Sequence, residues 1–205
     1  MLTRYLSLLI SSTTLVIAAS ESHTQCRCIY GDPCWPTDAE FSSFSTLLSQ
    51  PLLHPLPTAF ACYPSLSSST PAGNCSEVQA LYTDRILRSD NPGSMQSANF
   101  ESYLYPNGTI DACYVNVTLN IPCNQGSIPP IGVDIRKAED VQVAVKFANE
   151  KNLRLVIKNT GHDYLGRSAG RGGFLLWTHH LKDKLYNATF VPQGAPPNQT
   201  YEGMH

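Results

Sequence analysis

Residues 153–168 of the chain read LRLVIKNTGHDYLGRS, and this stretch predicts a strand that runs into a ligand-binding loop. Leu153 to Ile157 are mostly apolar and partly β-branched, which is typical of a buried strand. The run stops at a polar segment, residues 158–163, in which a glycine directly precedes a histidine. A glycine lets the backbone approach a ligand closely, and such a loop leaves backbone N–H groups free to bind an anion.

Two further strands and a helix frame this loop. Ile131–Ile135 and Phe174–Thr178 are predicted as strands, and Glu139–Lys151 is predicted as a helix because its apolar residues recur at helical spacing. Residues 187–200, rich in proline and in N-glycosylation sequons, are predicted as a loop. The order β–α–β–loop–β gives residues 125–205 an α+β fold class.

The first 20 residues differ in character from the rest. Arg4 places a positive charge before a mostly apolar stretch, and Ala18 to Ser20 offer a small-residue cleavage site. We expect residues 1–20 to be a secretory signal peptide, too short and too polar to span a membrane. Five N-x-[ST] sequons agree with a secreted, extracellular glycoprotein. They begin at Asn74, Asn107, Asn116, Asn187 and Asn198.

Residues 21–124 hold all seven cysteines and form a predicted disulfide-rich segment. Seven is odd, so one thiol is left over or its partner is missing, and spacing alone leaves the pairing open. Cys62–Cys75 and Cys113–Cys123 are expected as local closures. The close spacing of Cys26, Cys28 and Cys34 suggests a zinc cluster, but no second C-x-x-C pair follows, so disulfides account for it better.

Three local elements are predicted in the same segment. Asp38–Leu48 has apolar residues on one helical face, with Thr37 or Asp38 as its cap. Val78–Arg88 is predicted as a second helix. Tyr114–Leu119 alternates like a strand.

Charge and motifs exclude several classes of function. The formal net charge is −2, so no basic field favours nucleic acid. After the first 20 residues no stretch approaches ~18 consecutive apolar residues, so no membrane partner is expected. No G-x-G-x-x-G motif supports a Rossmann site, and no G-x-S-x-G motif supports a serine hydrolase. His162, His179 and His180 are not expected to bind metal, because adjacent strand residues point to opposite faces.

Three stretches carry a resemblance to a known family. They are KNTGHDYLGRS at 158–168, FLLWTHHLKD at 174–183 and the C-x-C-x5-C-W-P opening at 26–36. They resemble the vanillyl-alcohol-oxidase-type (PCMH-type) FAD-binding domain, and within it secreted fungal oxidases of the berberine-bridge-enzyme-like group. The resemblance implies that residues 125–205 are the first part of such a domain, preceded by the disulfide-rich segment at 21–124.

The resemblance also implies a cofactor and its site. His162 would bond covalently through its imidazole to the 8α-methyl carbon of FAD, and the surrounding loop would hold the pyrophosphate. The implied cofactor-binding residues are Lys158, Asn159, Thr160, Gly161, His162, Asp163, Gly166 and Ser168. The catalytic residues are expected in a part of the oxidase that lies beyond His205.

The full-length form would oxidise an alcohol, a sugar or a related small molecule by hydride transfer to the flavin, with O2 as acceptor. A second hypothesis remains open. The chain could be a secreted, disulfide-bonded glycoprotein that keeps the opening of this fold and binds no flavin.

Overall fold

The computed structural model describes residues 26–63, 74–196 and 198–204. The expected signal peptide at 1–20 lies outside the described residues, and so does the stretch at 65–73, whose serine, proline and glycine content predicts a loop. The helices are α1 (Asp38–Ser45), α2 (Cys75–Ala80), α3 (Arg85–Ser89) and α4 (Ala138–Glu150). The strands are β1 (Leu52–Leu53), β2 (Tyr103–Leu104), β3 (Ile110–Asp111), β4 (Ile131–Asp134), β5 (Leu155–Lys158), β6 (Phe174–Trp177), β7 (Tyr186–Phe190) and β8 (Tyr201–Met204).

A four-stranded sheet in the order β1-β4-β6-β5 forms the centre of the fold. β4, β6 and β5 run parallel, and β1 pairs antiparallel with β4. The predicted order β–α–β–loop–β is confirmed, with α4 crossing from β4 to β5 and β6 inserted between them. Strand β5 starts later than predicted because Leu153 instead forms a bridge with Cys28.

One face of the sheet is covered by an aromatic core. Phe41 and Phe44 of α1 pack against Phe147 of α4 and Phe174 of β6. The Phe44 and Phe147 rings stack with centroids 4.2 Å apart. Full burial of each such side chain contributes about 1.5–3 kcal/mol, so this cluster is a main source of stability for the helix-on-sheet layer.

The disulfide-rich segment shares this core with the C-terminal part. β1 belongs to the main sheet, and Cys28, Phe41 and Phe44 are buried in the same cluster as Val133 and Leu176. Residues on both sides of the expected boundary at 124/125 therefore pack as one hydrophobic layer.

Helix α1 is capped as predicted and is shorter than predicted. The Thr37 hydroxyl accepts the Glu40 N–H, and the Glu40 carboxylate accepts the Thr37 N–H at 2.8 Å, which is a capping box. The helix ends at Ser45 rather than Leu48.

The predicted helix at Val78–Arg88 is wrong as a single element. α2 ends at Ala80, and α3 starts anew at Arg85. The Asp84 carboxylate accepts the N–H groups of Ile86 and Leu87, so it caps a new helix instead of continuing the first.

Two other local predictions are also wrong. Val117–Leu119, inside the predicted strand at 114–119, forms a 3₁₀ turn, since the Asn116 side chain accepts the Thr118 N–H. The predicted loop at 187–200 begins in strand β7, which pairs with β8.

Three disulfides join six of the seven cysteines, and both predicted pairs are confirmed. Cys28–Cys34 is the third, and Cys26 is the free thiol among the described residues. Because Cys28 and Cys34 are bonded to each other, their thiolates are not available to a metal. Among the described helices, none has the length and apolar character needed to cross a membrane.

Candidate functional site

The candidate site lies where β5 ends, at the carboxyl edge of the parallel strands. The last ladder bond joins the Thr178 N–H to the Lys158 carbonyl at 2.8 Å. Beyond it, the backbone N–H groups of residues 159–163 donate no hydrogen bond to any part of the chain that the structure describes. Five consecutive amides without a partner next to a buried strand are backbone donors of the kind that can bind an anion.

Gly161 shapes this donor surface. Its φ of +84° lies in the left-handed region, and the residue is buried. A Cβ at this position would meet Lys158 Cε at 3.1 Å, the Ser94 carbonyl oxygen at 3.2 Å and Met95 Cα at 3.3 Å. Only glycine therefore meets both the backbone angle and the close approach without strain.

His162 and Asp163 have different environments. The His162 imidazole is exposed, so it is accessible to a ligand that covers the loop. The Asp163 carboxylate turns back and accepts the N–H groups of Leu165 and Arg167, at 3.2 and 2.7 Å. Hydrogen bonds from the Arg167 guanidinium and backbone lower the pKa of Asp163 to about 2. Asp163 thus fixes the loop with its side chain, and its backbone N–H remains free.

The other predicted loop residues complete the return turn. Gly166 has a φ of +74°, and a Cβ there would lie 2.7 Å from the Phe100 ring. Asn159 is exposed, while Thr160 and Ser168 are half-buried. The six predicted residues from Lys158 to Asp163 are contiguous, and Gly166 and Ser168 follow on the same loop.

Lys158 lies beneath the loop rather than on its surface. Its side chain is 0% exposed, and its ammonium donates to the Asn91 carbonyl at 3.0 Å. The same ammonium lies 5.5 Å from the centre of the Trp177 ring, a cation–π contact. Burial lowers the pKa of Lys158 from 10.5 to about 8. Its side chain would therefore support the loop from inside.

Sequence reasoning missed the partners of a buried histidine near Lys158. His179 stacks on Trp177, and its Nε2 lies 2.7 Å from Asp90 Oδ1. Within the described part of the chain, His179 Nδ1 is buried without a hydrogen-bond partner. The centres of the His180 and His179 rings lie 5.3 Å apart, and His180 Nδ1 lies 2.7 Å from Asp134 Oδ1. The Trp-Thr-His-His run was visible in the sequence, but its partners lie far away along the chain.

FAD fits the residues of this loop. The free amides of residues 159–163 match the anionic pyrophosphate, and Gly161 supplies the left-handed backbone angle at the middle of this run. The exposed imidazole of His162 is next to these donors. The donor set therefore suits a diphosphate with a reactive ring close by.

Comparison with known proteins gives a consistent result. No protein-family model matches the chain. It is 37% identical over 194 residues to an uncharacterized FAD-linked oxidoreductase of Arthroderma benhamiae, covering 95% of this chain and 32% of that protein. It is 34% identical over 187 residues to the VAO-type flavoprotein oxidase VAO615 of Thermothelomyces thermophilus, covering 90% of this chain and 31% of that protein.

Two solved structures share the fold. The crystal structure of the VAO-type flavoprotein MtVAO615 of Myceliophthora thermophila matches with a TM-score of 0.69 and 32% identity, over 88% of this chain and 30% of that one. MtVAO713 of the same organism matches with a TM-score of 0.64 and 28% identity, over 87% of this chain and 30% of that one. The chain spans about 30% of the length of these relatives, and over that part its homologues are FAD-linked oxidoreductases, among them VAO-type flavoproteins.

Proposed function

We propose that this chain is part of an oxidoreductase in which residues 159–163 bind the FAD pyrophosphate and His162 carries the flavin covalently. The observation that supports this most directly is the run of five free backbone amides around Gly161, beside an exposed imidazole. Anion binding by backbone donors needs no positive side chain at the surface, which agrees with the buried position of Lys158.

The chain's own residues would each have a defined part. The amides of residues 159–163 hold and orient the diphosphate, Asp163 and Arg167 fix the loop, and His162 fixes the ring. When bound, the flavin supplies a hydride acceptor for an alcohol, a sugar or a related small molecule, with O2 as the final electron acceptor. We place the groups that act on the substrate outside these 205 residues.

We also propose that the protein is secreted. Three disulfides persist best in an oxidising compartment. The sequon asparagines Asn74, Asn107, Asn116 and Asn198 are exposed, and Asn187 is half-buried. These same features would also suit the second hypothesis, a secreted glycoprotein without flavin.

A covalent-flavin assay separates the two hypotheses. The longest open reading frame that contains this chain is expressed in a secreting host, precipitated with acid, and the washed pellet is examined for flavin fluorescence. We expect flavin in the wild-type pellet and in His54→Ala, a control at another exposed histidine. His162→Ala should lose the pellet fluorescence while it retains some FAD in the soluble fraction, because the backbone donors remain.

Two results would contradict the proposal. Pellet fluorescence that persists in His162→Ala would assign the covalent link to another residue. A colourless, correctly folded wild-type protein that takes up no added FAD would favour the glycoprotein hypothesis.

A further inference from the structure

We propose that Ser94, Met95 and Gln96, here called the brace, orient the amide N–H groups of Gly161 and His162 toward an anion. In this arrangement Gln96 is a positioning residue. The inference rests on the proposed function, because it names the part of the disulfide-rich segment that prepares the donor loop for pyrophosphate.

The brace holds the carbonyl groups of the loop. The Gln96 backbone N–H donates to the Gly161 carbonyl at 3.1 Å, and Gln96 Nε2 approaches the Thr160 carbonyl at 3.4 Å. Gly161 also packs directly on the brace, since a Cβ there would lie 3.2 Å from the Ser94 carbonyl oxygen and 3.3 Å from Met95 Cα. The inner face of the loop is therefore occupied by the brace.

The planar geometry of the peptide bond determines the direction in which the N–H groups of the loop point once its carbonyls are held. All peptide bonds among the described residues are trans, and in a trans peptide the carbonyl and the following N–H point in opposite directions. Because the carbonyls of Thr160 and Gly161 point to Gln96, the N–H groups of Gly161 and His162 point away from it. Those two N–H groups donate no hydrogen bond to any described residue, so neither is used within the described part of the chain.

A buried ion pair holds the brace itself in place. Arg88 and Glu101 form a salt bridge, with side chains 2% and 7% exposed. Glu101 Oε1 accepts the Met95 N–H at 2.9 Å, and Arg88 Nε donates to the Met95 carbonyl. The N–H and the carbonyl of Met95 are thus both bound by charged, buried side chains. Hydrogen bonds to charged groups are stronger than those between neutral groups.

Two side-chain contacts fix the ends of the brace. The Ser94 hydroxyl shares a buried hydrogen bond with Thr58, and Gln96 Nε2 lies 2.9 Å from both the Arg85 carbonyl and Ser89 Oγ. Gln96 therefore links helix α3 to the donor loop. A change in its side chain should loosen the loop without removing any anion-binding group.

The test uses the ¹⁵N-labelled 205-residue chain with inorganic pyrophosphate as the probe and amide NMR shifts as the readout. The variants are Gln96→Ala and Gln96→Glu, the second being of equal size but unable to donate from its carboxylate. Gln79→Ala, on the exposed surface of α2, is the matched control. In the wild type and the control, we expect pyrophosphate to shift the Gly161 and His162 amides with the same dissociation constant.

Both Gln96 variants keep the backbone N–H that binds the Gly161 carbonyl and lose the Nε2 contact to the Thr160 carbonyl. They should bind pyrophosphate about three- to tenfold more weakly, the change that corresponds to losing that one contact to the loop. Their free-state shifts at Gly161 and His162 should also differ from wild type, while the thermal midpoint stays close to that of the control. A role in stability alone would move the midpoint and leave the dissociation constant unchanged.

Hydrogen exchange of the Gln96 backbone N–H, called the Gln96 amide below, separates failure of the inference from failure of the proposed function. A protected Gln96 amide with wild-type binding in both Gln96 variants overturns the inference. A Gln96 amide that exchanges as fast as an exposed loop amide overturns it as well. A protected Gln96 amide in a wild-type chain whose loop shows no shift with pyrophosphate overturns the anion-binding function and keeps the bracing contact.

Discussion

Replacement of Lys158 by methionine should remove a specific pH dependence of stability. Burial lowers the pKa of this lysine from 10.5 in the unfolded chain to about 8 in the folded one. Between these values the unfolded state binds more protons, so the free energy of unfolding rises with pH and is constant below about pH 8. The full rise is about 3 kcal/mol, of which about 2 kcal/mol falls between pH 7 and pH 9.5. Methionine is unbranched like lysine, keeps most of the length of the side chain and does not titrate.

Urea unfolding at pH 7, 8, 9 and 9.5 measures this effect. Cys26 is alkylated first, so that its thiolate does not attack the disulfides at high pH. From pH 7 to pH 9.5, the free energy of unfolding of the wild type should rise by about 2 kcal/mol relative to that of Lys158→Met. Lys146→Met is the control, because that lysine is 78% exposed, and its difference should stay constant. A constant difference for Lys158→Met would show that the ammonium is not desolvated in the folded state.

Three further predictions follow from the same contacts. Gly161→Ala should lower the free energy of unfolding, measured by thermal unfolding, by about 1–3 kcal/mol, and by more than Gly194→Ala. Gly194 has the same φ of +84° but no neighbour within 4 Å, so equal losses would show that Gly161 is not crowded. Phe44→Ala should lower the free energy of unfolding by about 3–5 kcal/mol in urea titrations, and a loss below 1 kcal/mol would contradict the stacked core. Non-reducing peptide mapping should find Cys26 alone alkylated, and modification of all seven thiols would refute the disulfides.

Local signals in the sequence were sufficient to predict the strand, the helix and the loop that form the candidate site. The apolar run at β5, the amphipathic spacing of α4 and the polar Gly161–His162 step each depend on neighbours within a few residues. The capping box at Thr37 is of the same kind. The break between α2 and α3 also had a local signal, because Asp84 is a strong N-cap residue, but the apolar residues around it suggested one continuous helix.

The buried position of Lys158 was partly visible in the sequence. In a strand, residues two apart share a face, and Lys158 follows buried Val156 at that spacing, while Ile157 is exposed. The apolar run concealed this alternation. The pairing of His179 with Asp90, 89 residues earlier, could not be predicted from local patterns, and neither could the contact between Gln96 and Gly161.

The bridge between Cys28 and Leu153 of the sheet can form only after residue 153 has been synthesised, so it forms late relative to the first cysteines. Arg27 and Asn152, which meet beside the Cys28–Leu153 bridge, are separated by 125 residues. At the usual rate of translation the sheet emerges roughly 6–25 s after the first cysteines. During that interval Cys26 and Cys28 compete for Cys34 over loops of similar length, whose closure entropies differ little. Burial of Cys28 in the core beside Leu153 favours the Cys28 pairing, so a nascent chain stopped before residue 153 should accumulate both pairings.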